Sequence, residues 1–326
     1  MNVHAVLPND IDDPATPSGG NTYDRRVCDG LRALGWVVRE HAVRGAWPVP
    51  SAAERGDLAG VLAAIPDGAA VLVDGLVASC VPEVLAPQAG RLALVVLVHM
   101  PLGDDAERAA FGSARALVAT SEWTRARLDH PAVVAAPPGV DRALVAAGGG
   151  GLLCVAAVTP DKGHDVLAAA LALADMRCTC VGALDRDPAF VAAVRERAGG
   201  RITFTGALTG RELARAYDRA DLLVLPSRAE TYGMVVTEAL ARAVPVLASG
   251  VGGVPEALGL APDGRRPGLL VPPGDHAALA TTLNRWRADP ELRRYLRAAA
   301  ADRRGALTDW ATTARQVAGV LAEVVG

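Results

Sequence analysis

Strand-like runs of five to eight residues recur twelve times along the chain, and helical or turn segments separate them. The first six are "VHAVLP" (3–8), "VVREHAV" (37–43), "AAVLVDG" (69–75), "LALVVLVH" (92–99), "ALVAT" (116–120) and "AVVAAP" (132–137). Stretches such as "TYDRRVCDGLRALG" and "SEWTRARL" lie between them. Strands that are apolar at successive positions must be covered on both faces, and the intervening helices supply that cover when the strands run parallel. The pattern predicts an α/β chain built on doubly wound parallel sheets.

The rhythm breaks at "AAGGGG" (146–151) and then restarts with "LLCVAAV" (152–158), "RCTCVGA" (177–183), "RITFTG" (201–206), "DLLVLPS" (221–227), "PVLAS" (245–249) and "GLLVPP" (268–273). Four consecutive glycines read as a flexible connector. They predict one Rossmann-like domain over 1–146 and a second over 147–305, facing each other across a hinge and a central cleft. A chain of 326 residues with 51% apolar content is ample for two cores.

Composition excludes several classes. A net charge of -3 with scattered arginines lacks the footprint of a nucleic-acid binder. The longest apolar run, "LALVVLV", is too short to span a bilayer, and "MNVHAVLPND" has no leader character, so a soluble cytoplasmic protein is expected. Arg25, Arg26, Arg32, Arg39 and Arg44 around the first helix read as a solvated face, with weak contact to anionic headgroups as the alternative. Cys28, Cys80, Cys154, Cys178 and Cys180 read as buried free thiols; metal ligation by Cys178 and Cys180 would need further partners that the local sequence does not supply.

Ligands of such sheets bind where strand ends enter helices. The first such loop, "NDIDDPATPSGGNTYDRR", lacks G-x-G-x-x-G, but Gly19 and Gly20 before a helix let backbone N–H groups approach an anion, or simply form a turn. Asp10, Asp12 and Asp13 read as a solvated acidic turn or as general bases. In "LPSRAETYGMVVTEALARAVPVLASGVGGVPEAL" (225–258), Glu230 and Glu238 flank a helix start at Gly233. That arrangement offers N–H donors to a phosphate and carboxylates to sugar hydroxyls, while dipole compensation is the plainer reading of an acid there. The chain has thirty-three Lys plus Arg residues, of which a single one, Lys162 in "TPDKGHD", is lysine.

Together these pieces resemble the retaining GT-B glycosyltransferases, specifically glycosyltransferase family 4. The resemblance rests on Glu230, seven residues, then Glu238, with "GM" between them and "PVLASGVGGVPE" after, preceded in the family's order by "SGGNTYDRRVCDGLRALGWVV", "HMP" (99–101), "TSEWTRARL" (120–128), "PPGVD" (137–141) and "TPDKGHDVLAAAL" (159–171). It covers nearly the whole chain. It implies a hexosyltransferase-type enzyme whose donor is a UDP-, GDP-, ADP- or dTDP-sugar and whose acceptor is a small molecule, glycan or lipid, with no further cofactor and no metal. By the same resemblance Glu238 holds the donor ribose, Glu230 lies against the transferred sugar, and Tyr232, Gly233, Met234 and Val235 offer backbone groups to sugar and diphosphate. Lys162 neutralises the diphosphate together with Gly19 and Gly20, His99 approaches the donor sugar, and a terminal helix within 306–326 crosses back to the first domain.

One departure from the family stands out. Its frequent "GR" before the lysine is absent, and Ala157 takes the arginine's place, so that Arg228 is either a compensating cation or a solvated loop residue. A GT-B sugar-nucleotide epimerase, a two-domain sugar-binding protein and a catalytically silent nucleotide-sugar-binding subunit remain as alternatives.

Overall fold

The computed structural model describes residues 1–13 and 18–325; positions 14–17 of the first loop lie outside the described residues. The chain divides into two compact units, unit 1 comprising 1–139 with 308–326, and unit 2 comprising 140–307.

Unit 1 holds a six-stranded sheet made of β1 (Asn2–Pro8), β2 (Val37–Val43), β3 (Ala70–Asp74), β4 (Ala93–Val98), β5 (Ala116–Ala119) and β6 (Val133–Ala135). The strand order is β2-β1-β3-β4-β5-β6, and every pair is parallel. Alternate side chains feed two separate cores, as a period of two requires: Val6, Val71, Val73, Leu94 and Val96 on one face, Val3, Leu72, Val95 and Leu97 on the other. All nine are buried, each stabilising the fold by about 1.5–3 kcal/mol relative to exposure. The order of connection reverses between β1 and β3, which opens a crevice at the carboxyl ends of those strands.

The second of these cores is shared by chain segments remote in sequence. Helix Trp310–Val325 lays Val317, Val320 and Leu321 beside Tyr23, Val27 and Leu31 of helix Gly19–Ala33. Contact is close because Gly30 is small: a Cβ there would lie 2.4 Å from that of Ala314.

Unit 2 repeats the scheme with β7 (Leu152–Val155), β8 (Cys178–Val181), β9 (Ile202–Phe204), β10 (Leu222–Leu225), β11 (Val246–Ser249) and β12 (Gly268–Val271), all parallel in the order β12-β11-β10-β7-β8-β9. Its reversal falls between β7 and β10. The loops that leave these two strands carry Lys162 and Glu230.

The domain boundary differs from the one expected. Residues 140–146 belong to unit 2: the Ala146 N–H bonds the Arg242 carbonyl at 2.9 Å, and Arg304 Nη2 reaches the Ala143 carbonyl at 2.6 Å. Nor is the glycine run a loose connector. Gly148 donates to the Asp218 carbonyl (2.8 Å), Gly150 to that of Arg219 (2.7 Å), and Gly149 and Gly151 each to the Asp221 carboxylate (2.9 Å). Gly148, Gly149 and Gly151 have φ of 76°, 84° and 83°, so left-handed backbone, rather than flexibility, is what requires glycine there.

Candidate functional site

In unit 2 the structure brings Lys162, Ser227 and Glu230 together. Lys162 Nζ lies 3.0 Å from Glu230 Oε1, and the Ser227 hydroxyl donates to the same oxygen at 3.0 Å. The side chains of Lys162 and Glu230 are 26% and 12% exposed, so their attraction is partly shielded from water. An ammonium has three N–H donors, and Glu230 accepts one of them. Asp161 Oδ2, at 3.6 Å from Nζ, adds a second negative charge nearby.

Two glycine-dependent contacts hold this arrangement. Gly163, at φ 68°, follows the lysine and packs so tightly that a Cβ would lie 2.1 Å from the Pro226 carbonyl oxygen. Gly252, at φ 58°, leaves only 1.6 Å between such a Cβ and the Glu230 carbonyl oxygen, and the Gly253 N–H donates to that same carbonyl at 3.2 Å. The "KG" and "GVGG" motifs are therefore backbone fits that seat the two loops.

Arg228 has partners within unit 2. Its guanidinium forks onto Asp165, with both N–H···O distances at 2.7 Å, and also donates to the Pro160 carbonyl at 2.7 Å, while its own N–H reaches the Asp161 carbonyl. Hydrogen bonding from Arg228 holds the Asp165 carboxyl below its ordinary range. The guanidinium thus latches the Lys162 loop to the Glu230 loop, and its charge is matched without a ligand.

Glu238 stands on the short helix Met234–Leu240, entered through Gly233 at φ 92°. Tyr217 donates its hydroxyl to Glu238 Oε2 at 2.7 Å, and Arg242, whose guanidinium lies 4.6 Å from the Tyr217 ring centre, donates to the Glu238 carbonyl. Burial raises the Glu238 carboxyl against the opposing pull of Tyr217 and Arg242. Tyr232 is buried, and Met234 and Val235 are half-buried.

In unit 1, His99 follows β4 and faces Gly20, where a Cβ would approach the ring to 3.3 Å. Asp24 Oδ1 lies 2.6 Å from His99 Nε2 and Asp74 Oδ2 3.4 Å from it. Sequence reasoning missed both acids, as it missed Tyr217, Ser227 and Asp165. An aspartate closing an apolar strand just before Gly75 was the available signal for Asp74. Asp12 forms a two-pronged pair with Arg25, which also meets Glu40, as does Arg32; these members of the arginine group are thus matched within unit 1.

All five cysteines are free thiols, four buried and Cys80 half-buried. The partners that the local sequence did not reveal for Cys180 come from other elements: the thiols of Cys154 and Cys180 and the His164 imidazole lie within 4.8 Å of one another, all fully buried. This set has the chemistry to hold a soft cation. Among the described residues no helix is long and apolar enough to cross a membrane.

Comparison with known proteins places this geometry in context. Residues 149–289 match the family model described as Glycosyl transferases group 1. The sulfoquinovosyl transferase SQD2 of Arabidopsis thaliana is 39% identical over 102 residues, which are 31% of this chain and 20% of that protein. A D-inositol 3-phosphate glycosyltransferase of Streptomyces bingchenggensis is 40% identical over 127 residues, 38% of this chain and 26% of that protein. The chain thus spans about a fifth to a quarter of the length of these relatives. Among solved structures, the sucrose-phosphate synthase of Thermosynechococcus elongatus superposes with a TM-score of 0.76 at 22% identity, over 99% of this chain and 98% of that one. Anabaena HepE, solved in complex with UDP and glucose, gives 0.77 at 17% identity over 99% and 100%. The fold is that of the GT-B glycosyltransferases, two Rossmann-like parallel sheets in one chain.

Proposed function

We propose that the chain is a glycosyltransferase that moves a hexose from a nucleoside-diphosphate sugar to an acceptor hydroxyl, with retention at the anomeric carbon and without a metal. The observation that carries this reading is the Lys162–Ser227–Glu230 cluster at the β7/β10 reversal, inside the stretch matched by the glycosyl transferase model. HepE, a neighbour in fold, binds UDP-glucose, which supports a donor of that class.

In the proposed reaction the acceptor oxygen attacks the anomeric carbon from the side of the leaving group. The bond to the diphosphate breaks, its electron pair stays on the phosphate oxygen, and that oxygen takes the acceptor's proton. Lys162 meets the charge as it develops, using N–H donors that Glu230 leaves free. Glu230, held in place by Ser227 and Lys162, is assigned to the sugar. Glu238 is assigned to the ribose: Tyr217 occupies only part of its accepting capacity, and burial strengthens the hydrogen bonds it makes.

Glu238→Ala is expected to weaken binding of the free nucleoside diphosphate by roughly 1.5–3 kcal/mol, the range for hydrogen bonds to a charged group. Glu230→Ala should spare that binding and damage turnover. Isothermal calorimetry with UDP, GDP, ADP and dTDP reads both; equal affinity in wild type and Glu238→Ala removes the ribose assignment.

Exhaustive EDTA treatment is expected to leave most transfer activity in place, since the assigned charge stabilisers are an ammonium and backbone donors. Incubation with the four classes of nucleotide sugar, followed by NMR of the product, tests transfer and stereochemistry together. An inverted product, or a loss restored by Mg²⁺ or Mn²⁺, would sink the mechanism; an altered sugar nucleotide formed without acceptor would mark an epimerase.

A further inference from the structure

Three ionisable side chains from three segments of unit 1 meet at one point: Asp24 from helix Gly19–Ala33, Asp74 at the end of β3, and His99 just past β4. Asp24 and Asp74 are 1% and 3% exposed, and the His99 side chain 16%. Nearly all of the stabilisation these groups receive must therefore come from one another.

The accounting of partners constrains their charges. Asp74 Oδ1 accepts the Val77 N–H at 3.0 Å, and Oδ2 faces His99 at 3.4 Å. Asp24 Oδ1 takes the short 2.6 Å contact with His99 Nε2, while its Oδ2 is buried with no hydrogen-bond partner. Of the other near groups, Tyr23 crosses the His99 ring at a steep angle with 5.1 Å between ring centres and spends its hydroxyl on the Ala136 carbonyl, and burial and then the Asp24 charge push the Cys28 thiol up to about 12, so neither adds a charge at neutral pH. One imidazolium balances one carboxylate. A second buried carboxylate beside the first is not matched by that cation, which disfavours the charged form of Asp74 and strengthens the hold of the pair on a cationic His99.

We propose that Asp24 and Asp74 are positioning residues that hold His99 as a fixed imidazolium, so that unit 1 presents its substrate with a cation instead of a proton acceptor. This rests on the reading above, in which the protein acts on a sugar nucleotide. It also deepens it: the chemical class met by His99 is an oxygen lone pair, of a sugar hydroxyl or a phosphate, and His99 is not the base that deprotonates the acceptor. That agrees with a mechanism in which the leaving phosphate oxygen takes the proton. The electrostatics run the same way. Burial alone would lower the His99 pKa, but the Asp24 charge and hydrogen bond, with Asp74 behind them, lift it to about 9. Burial and then the Asp24 charge raise the Asp74 carboxyl to about 7, so it is the more easily protonated partner in the cluster.

The test is imidazole nitrogen NMR on protein labelled at its six histidines, with His99 assigned through His99→Gln. Wild-type His99 is expected to stay doubly protonated from pH 6 to 8, with its midpoint at about 9. In Asp24→Asn the midpoint should fall toward the ordinary value of 6.5, whereas Asp74→Asn, which removes a smaller contribution than the Asp24 charge and hydrogen bond, should lower it less. A wild-type midpoint near 6.5, or an unchanged midpoint in a folded Asp24→Asn protein, overturns the proposal. Should Asp24→Asn not fold, the wild-type titration decides alone. Where sugar transfer is measured, the inflection due to His99 should move in Asp24→Asn from about 9 toward 6.5. The titration needs no turnover, so failure of the glycosyltransferase reading would leave this result standing by itself.

Discussion

Lys162→Ala is expected to lower donor use roughly 10- to 100-fold, the size that follows when one charge-assisted hydrogen bond to the leaving group is removed. The structure adds a reason for the loss: the ammonium is also the cation that pairs with Glu230 at 3.0 Å, so truncation leaves a carboxylate only 12% exposed with Ser227 as its remaining partner in that pair of contacts. Lys162→Arg is expected not to restore activity. The larger forked guanidinium has to fit between Asp161, Glu230 and the tightly packed Gly163, where a compact ammonium sits. Because Lys162 is the chain's sole lysine, an amine-directed reagent has one side chain to find. Peptide mapping should show its labelling slowed by the correct nucleoside diphosphate. Equal labelling at saturating nucleotide, or normal transfer by Lys162→Ala, would mean that something else holds the phosphate.

The larger effect on stability is expected at Gly252. Alanine there would set its Cβ 1.6 Å from the Glu230 carbonyl oxygen at a φ of 58°, so the Glu230 loop must move, the Gly253 hydrogen bond must break, or the residue must leave its left-handed conformation. A cost of about 3 kcal/mol or more is expected, with turnover damaged even where the protein remains folded. Gly264→Ala is the matched control: its φ is 86°, but nothing lies within 4 Å of the added carbon, so only the backbone penalty of roughly 1–2 kcal/mol applies. Urea denaturation of the two variants separates conformational strain from collision. If both lose the same stability, the close seat under Glu230 is not what glycine provides.

The strands were legible in the sequence because their signal is local. Eleven of the twelve runs contain a whole strand, β1 begins one residue before its run, and β2 coincides with "VVREHAV" from end to end. The domain boundary was misread for an equally local reason: a run of glycines looks alike whether it is unconstrained or pinned in left-handed backbone by Asp218, Arg219 and Asp221. Lys162, Glu230, Glu238 and His99 could be singled out because each stands in a recognisable motif at a strand end. Their partners could not. Asp24, followed by Arg25 and Arg26, reads as one charge on a solvated helix face, and Tyr217 lies 21 residues from the glutamate it supports. Arg228 was legible as a cation near the site, but only the fold reveals that Asp165 already holds its fork.

The division of unit 1 into 1–139 and 308–326 has a consequence for how the protein is made. About 170 residues separate Gly139 from the helix that completes its core, which at ribosomal speeds of 5–20 residues per second is a delay of roughly 10–30 s. Unit 2, continuous in sequence, has all its strands available before that helix emerges. Through this interval the apolar side of the first helix, with Tyr23, Val27 and Leu31, lacks the cover that Val317, Val320 and Leu321 later supply. The nascent chain therefore passes through a period in which its first-made half is the half still unfinished.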